Sequence, residues 1–417
     1  SDVYKRQGFI LTDSRSLCFP EETLFFALKS ERNDGHNYIP ELYRRGVRNF
    51  VVSQVPKGYA SDYPEANFLK VVNTLEALQR LAERHRDEFN IPIVGITGSN
   101  GKTMVKEWLH QLLSPSMFVT RSPRSYNSQI GVPLSVWLLN EQTQVGVFEA
   151  GISQPGEMLA LRDIIQPTIA VLTYLGAAHQ ENFESLEAKC REKIILFHDA
   201  DTIVYNGDDK TVSGVVNEYK DYKGEKLFWS FRDTKAPFFV KNVEKKGNLS
   251  IITYIYKGEE DSYSLPFIDE ASVTNSIIAA VVSRRLGLSA EELDKRMALL
   301  EPVAMRLEVK EGQHGCTLIN DSYNSDINSL DIALDFMSRR PDHKGRRHTL
   351  ILSDIFQSGE SAKDLYHEVS DLCRKRGVVK FIGIGPQLCS QSDEIQISEK
   401  FFFSNVDEFI DLSLIHI

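Results

Sequence analysis

Ile93-Val-Gly-Ile-Thr-Gly-Ser-Asn-Gly-Lys-Thr103 is the stretch from which the rest of the chain can be read. Its apolar run Ile93 to Ile96 suits a parallel strand buried on both faces. A turn, Gly98-Ser-Asn-Gly101, follows. Lys102 and Thr103 then open a helix whose Met104, Val105, Trp108, Leu109, Leu112 and Leu113 share one face. Strand, glycine turn, Gly-Lys-Thr and helix in this order predict a phosphate-binding loop rather than an ordinary strand-to-helix turn. The residue types follow from the ligand. Phosphate oxygens need several donors at close range, and glycines let backbone N–H groups approach them. The helix N-terminus adds positive partial charge. Lys102 is placed to reach outer phosphates, and the Thr103 hydroxyl to ligate Mg²⁺. Gly98, Ser99, Asn100, Gly101, Lys102 and Thr103 are therefore candidate nucleotide-binding residues.

The bulk numbers set limits around this loop. A chain of 417 residues can hold two or three domains with full cores. A net charge of −10 argues against a nucleic-acid partner. The five cysteines are scattered and form no Cys-x-x-Cys, which suits reduced thiols and a cytoplasmic location. No apolar run approaches the ~18 residues of a membrane span. No secretory leader is expected. Ser1 to Gln7 and Leu412 to Ile417 are expected to be non-native flanks.

Three α/β domains are expected. Residues 8–88 read as a small N-terminal domain with strands at Thr23 to Leu28 and Phe50 to Val52. A turn is expected at Asp34-Gly-His36, with helices at Tyr38 to Arg45 and Thr74 to Glu88. Residues 89–302 read as the central domain, a parallel-sheet ATPase domain built on the phosphate loop. There Glu149 ends the strand Val145 to Glu149, and ligand groups in parallel sheets gather at carboxyl ends of strands, so it is a candidate Mg²⁺ ligand. His179 follows the next strand. Ser185 caps a helix carrying Lys189 and Lys193, lysines that by default lie on a solvated face. Phe238 to Tyr256 reads as one hairpin broken at Lys246-Gly-Asn248. Residues 303–417 read as a Rossmann-like third domain. Its strands Thr317 to Asp321, Thr349 to Asp354 and Val378 to Ile384 suggest an open, mostly parallel sheet.

Several ordered motifs carry a family resemblance. The loop is shorter than Gly-x-x-x-x-Gly-Lys-Thr, which would need glycine where Ile96 stands. Asp13-Ser-Arg15, Asp34-Gly-His36, Gly98-Ser-Asn-Gly101-Lys-Thr, Tyr126-Asn-Ser-Gln-Ile-Gly-Val-Pro133, Glu149-Ala-Gly151, Asn206-Gly-Asp-Asp209 and Asp321-Ser-Tyr-Asn324 occur in sequence order. Over residues 8 to 411 this pattern resembles the Mur ligases, the ATP-dependent amide-forming enzymes of peptidoglycan synthesis. Asp-Ser-Tyr-Asn is most similar to the branch that adds D-alanyl-D-alanine. The resemblance implies ATP and Mg²⁺ as cofactors, with a UDP-muramoyl-tripeptide and D-alanyl-D-alanine as small-molecule substrates of a monomer. It implies that Ser14, Arg15, Asn127, Tyr323 and Asn324 touch substrate. It puts Arg306 at the γ-phosphate, Asp321 at the ribose and Asn275 at the nucleotide. Lys193 stands fourteen residues after His179, the family spacing for a lysine modified by CO₂. Thr103, Glu149, His179 and modified Lys193 would then hold metal, with Lys102, His179 and Lys193 as catalytic groups. Ser128 replaces the second asparagine of the family pair, and Ala271-Ser272 replaces His-Asn. The third domain is shorter than the family's. A sister ligase, a folylpolyglutamate synthetase and an inactive nucleotide-binding fragment are the alternatives.

Overall fold

The computed structural model describes residues 8–30, 33–176, 182–220, 222–303, 308–312, 315–321, 327–339, 347–355 and 361–410. Near the N-terminus, β1 (Phe9–Leu11), β2 (Thr23–Phe26), β3 (Asn49–Val52) and β4 (Asn67–Lys70) form a parallel sheet in that order. Side chains alternate between its faces. Phe25, Phe50 and Val52 pack with Ile39 and Leu42 of the helix Ile39–Arg44. Leu24, Phe26 and Val51 on the other face meet Leu78 of the helix Thr74–Arg86. Asp34-Gly-His36 is a turn that ties this sheet together. His36 Nδ1 lies 2.6 Å from Asp34 Oδ1, while the Ser53 N–H donates to Nε2 at 3.0 Å. Both polar ends of the ring are satisfied inside the fold.

The helix Thr74–Arg86 belongs to two cores. Leu78 packs under the N-terminal sheet, whereas Ala82, one turn on, packs with Ile93 and Val132. Arg86, at the helix end, is 6% exposed. Its guanidinium donates to Ile165 O at 2.9 Å and to Gln166 O at 3.0 Å.

The central sheet contains β5 (Ile93–Thr97), β6 (Val119–Arg121), β7 (Val145–Glu149), β8 (Ile169–Leu172), β9 (Thr202–Val204) and β10 (Glu225–Lys226). All pairings are parallel, in the order β10-β9-β8-β5-β7-β6. Strand order reverses beside β5, and that switch opens a crevice at the strands' carboxyl ends. The phosphate loop leaves β5 there.

A second sheet lies beyond. It joins β11 (Trp229–Ser230), β12 (Phe238–Lys246), β13 (Leu249–Tyr256) and β14 (Glu259–Leu265). The predicted hairpin is β12–β13, but the sheet has two strands more than expected, β11 and β14. Lys257 and Gly258 turn the chain with φ of 53° and 83° into β14. Two successive positive φ values suit a tight hairpin, and lysine at the first hid that signal. The helix Glu270–Arg285 is sandwiched between the sheets. Ile277 to Val282 are wholly buried there among Ile96 and Val171 on one side and Ile252 and Tyr254 on the other. This explains its unbroken apolar run.

In the third unit, β15 (Glu308–Glu311) pairs antiparallel with β16 (Thr317–Asn320). The strand predicted at Thr317 thus lies outside the parallel sheet of β17 (His348–Ser353), β18 (Val378–Ile384) and β19 (Glu399–Phe403). Helices Ile327–Arg339 and Ala362–Lys375 pack against that sheet through Leu334, Leu365 and Val369. No helix among the described residues is long and apolar enough to cross a membrane.

Candidate active site

The Gly98-to-Gly101 loop is built where only glycine fits. Gly98 has φ of 146°, and a Cβ there would lie 2.1 Å from Thr173 Oγ1. Gly101, at φ of 86°, starts the helix Lys102–Leu113, and its Cβ would lie 2.4 Å from Asn275 Oδ1. Both substitutions are blocked by backbone angle and by a polar neighbour. The turn is tied to β8 and the segment after it. Ser99 N donates to Tyr174 O at 2.7 Å, and Ser99 Oγ donates to Gly176 O at 3.0 Å. Thr173 Oγ1 donates to Asn100 O at 2.5 Å. Among the described residues the buried Asn100 amide nitrogen meets no hydrogen-bond partner, and such a donor suits a bound anion.

A cleft of about 480 Å³ opens beside the loop, lined by Gly98, Lys102, Thr103, Asn127, Glu157 and Lys193, among others. Lys102 Nζ donates to Gly98 O at 2.7 Å and Ser99 O at 3.2 Å. Lys193 Nζ, on the helix Leu186–Ile194, reaches the same Gly98 O at 3.3 Å. Lys193 is 2% exposed and Lys189 is 1% exposed, so Lys189, expected on the solvated face, is buried instead. Ser185 does cap this helix, accepting from Ala188 N at 3.0 Å. Lys189 Nζ donates to Gly176 O, the carbonyl that also receives Ser99. The helix is short and packs its lysine-bearing side under the loop, so periodicity gave no apolar stripe to mark it. Burial pushes the Lys193 ammonium well below its ordinary pKa, and the charges of Lys102 and Lys189 push the same way.

Glu149 stands at the end of β7 and is wholly buried. Its Oε2 accepts from Thr103 Oγ1 at 3.1 Å and from Asn127 Nδ2 at 3.4 Å. Thr103 and Asn127 line the cleft, so the carboxylate sits one layer behind them. Its Oε1 lies 3.0 Å from Nζ of Lys106, a wholly buried lysine that motif reading passed over. Lys106 shares the helix stripe of Thr103, Leu109 and Leu113, and a lysine on a buried stripe was the available signal.

The remaining predicted residues divide into three groups. Asn275 and Asp321 line a smaller cavity of about 60 Å³ with Asn100, Gly101 and Thr103, placing them beside the loop. Ser14 and Arg15 do not line either cavity. Ser14 is buried in a one-turn helix, and its carbonyl accepts from Arg45 at 2.9 Å. Arg15 is 87% exposed in its side chain and pairs with Asp13 at 2.7 Å. His179, Arg306, Tyr323 and Asn324 lie outside the described residues. The polar turn at Asp208 serves the fold, accepting from Ser230 Oγ and Phe231 N.

Known proteins match this arrangement. Residues 96–283 match the Mur ligase middle domain. The UDP-N-acetylmuramoyl-tripeptide–D-alanyl-D-alanine ligase of Bacillus subtilis is 28% identical over 368 residues, covering 86% of this chain and 76% of that protein. The ligase of the same name from Escherichia coli is 25% identical over 400 residues, covering 94% and 84%. The crystal structure of the MurF ligase from Thermotoga maritima in complex with ADP superposes with a TM-score of 0.81 at 23% identity. That superposition covers 99% of this chain and 92% of that one. The matched segment begins at Ile96 inside the loop strand and ends at Ser283 in the sandwiched helix, and over these residues the chain is similar to the Mur ligase middle domain.

Proposed function

We propose that this protein is an ATP-dependent, ADP-forming ligase that joins D-alanyl-D-alanine to UDP-N-acetylmuramoyl-tripeptide in cytoplasmic peptidoglycan synthesis. One observation carries the reading: the glycine cradle, with Lys102 at its helix start, opens into a cleft of about 480 Å³. Relatives bearing that ligase name align over nearly the whole chain. In this reading residues 8–88 receive the UDP-substrate, residues 89–302 bind ATP, and residues from 303 close over the nucleotide. Small-molecule substrates suffice, and the chain acts as a monomer.

The chemistry follows from the reactants. A carboxylate is a poor electrophile because its leaving group would be oxide. Transfer of the γ-phosphoryl to the peptide carboxylate releases ADP and leaves an acyl phosphate with a good leaving group. The amine of D-alanyl-D-alanine then attacks the carbonyl carbon. The carbon–oxygen bond breaks, phosphate departs and the amine loses its proton. Lys102 and the loop N–H groups would stabilise charge on the transferring phosphoryl. Asn275 would orient the nucleotide from across Gly101, Asp321 would meet the ribose, and Asn127 would position substrate at the cleft wall.

Thr103 Oγ1 and Glu149 offer hard oxygen donors within 3.1 Å of each other, a donor set that suits Mg²⁺. Thr103 and Glu149, with His179 and Lys193 by sequence, would hold it. Bound there, Mg²⁺ supplies charge neutralisation between phosphate and carboxylate. Lys193 is prepared for the CO₂ modification, since burial favours its neutral amine. Nitrogen adds to CO₂, a proton leaves, and a cation becomes an anion with two oxygens. An assay with UDP-muramoyl-tripeptide, ATP and D-alanyl-D-alanine, reading product and ADP, tests the reading. ADP formation that needs a single amino acid or folate instead of D-alanyl-D-alanine would overturn it.

A further inference from the structure

Lys106 is the residue that the proposed chemistry leaves unused. It is 0% exposed, on a helix one turn beyond Thr103. A buried ammonium is costly unless its surroundings compensate, so its partners identify its task. Four groups meet it. Glu149 Oε1 and Glu107 Oε1 each lie 3.0 Å from Nζ. The carbonyls of Ser122 (2.9 Å) and Arg124 accept from it. Glu107 is itself held by Arg121 Nε at 2.9 Å, which fixes the outer side of the cluster.

The two carbonyls explain more than the charge pair does. Arg124 has φ of 48°, a backbone angle that a residue with a Cβ holds only when its surroundings fix it. Lys106 clamps the carbonyls on both sides of that strained step. The same segment supplies Ser125 Oγ, 3.0 Å from Thr103 Oγ1, and Asn127 Nδ2, 3.4 Å from Glu149 Oε2. Ser122 Oγ also accepts from Glu149 N at 3.2 Å. One ammonium therefore touches Glu149 and the segment that carries two of its other partners, Ser122 and Asn127.

We propose that Lys106 is a positioning residue. It holds Glu149 by Oε1, so that Oε2 faces Thr103 and Asn127, which line the cleft, and it fixes the Ser122-to-Asn127 segment around that oxygen. A cation on one oxygen limits the carboxylate to single-oxygen ligation of a metal. This role rests on the ligase reading, in which Glu149 serves Mg²⁺.

The test compares wild type with Lys106→Met and the double variant Lys106→Met/Glu149→Gln. Mn²⁺ binding in the presence of ADP is followed by electron paramagnetic resonance, and ADP binding without metal by calorimetry. Lys106→Met is expected to weaken Mn²⁺ binding at least tenfold while metal-free ADP binding stays within twofold. Lys106→Arg, which keeps the charge, should recover part of the loss. A folded Lys106→Met that binds Mn²⁺ as wild type does would overturn the proposal. If Lys106→Met does not fold, the double variant decides, because it removes the stranded buried anion as well. Its folding and metal-free ADP binding support the pairing, and its failure to fold overturns it. Wild type that binds no Mn²⁺ with ADP, and shows no ligation, would sink the ligase reading instead.

Discussion

Lys102 at the glycine loop and Arg15 in the N-terminal turn are both candidate anion-binding groups, and the protein holds them in opposite ways. Lys102 donates to neutral backbone oxygens, Gly98 O at 2.7 Å and Ser99 O at 3.2 Å. Arg15 is clamped by a full anion, with three side-chain contacts of 2.7 to 3.2 Å to Asp13. The hydrogen bonds from Arg15 hold the Asp13 carboxyl below its usual range. A carbonyl dipole steadies an ammonium without cancelling its charge. A carboxylate cancels it. On the proposed ligase reading, the loop end would receive a polyanion, while Arg15 would have to exchange one anion for another in water, where the gain is small.

The largest break in this comparison should come from Lys102→Ala. The loss is expected to be on the order of 10³-fold in kcat/KM, because the contact is made mainly in the transition state. Steady-state ADP release checks it, and an unchanged melting curve separates it from misfolding. Near-normal ligation would show that the loop end is not electrostatically special.

Lys193→Ala should cost on the order of 10²-fold. Acetate should restore part of the activity by standing in for the carbamate, and removing CO₂ and bicarbonate should reversibly slow the wild type. Lys189→Ala should respond to neither treatment, because Lys189 anchors Gly176 beside Ser99. Its signature should be a lowered melting temperature. Equal rescue of both variants by acetate would erase the distinction between them.

Glu149→Gln should raise the Mg²⁺ concentration for half-maximal rate roughly tenfold and leave the KM for the UDP-substrate alone. A Mg²⁺ titration superposable on the wild type would remove Glu149 from the metal site.

The smallest effect belongs to the arginine end. Asp13→Asn should free Arg15 and lower the KM for the UDP-substrate about two- to threefold at low salt, with the gain fading as salt screens it. Arg15→Ala should raise that KM by a similar factor. A much larger loss would mean that Arg15 leaves Asp13 for a buried contact with substrate.

The loop was legible because its demands are local. Gly98 and Gly101 supply the backbone angles that its turn requires, and β5 and its helix follow from apolar spacing. Glu149 was legible from its place at a strand end. Lys189 and Lys106 were not, because a lysine's default is solvent and the carbonyls that receive them come from distant parts of the chain. β14 was missed because its strand, Glu259 to Leu265, is largely polar and follows a turn begun by lysine. The place of Ser14 and Arg15 outside the loop cleft is likewise a matter of tertiary geometry that no local pattern encodes.

The helix Thr74–Arg86 has a consequence for how the molecule comes apart. Its two turns at Leu78 and Ala82 are shared between cores, and Arg86 is tied to carbonyls beyond residue 160. Severing the chain after residue 88 would not release an independent module. It would strip Ala82 and Arg86 of their seats and leave the central unit with an uncovered patch near Ile165. The first sheet and the central sheet should accordingly melt in a single cooperative transition, and their slowest-exchanging amides should open with the same free energy.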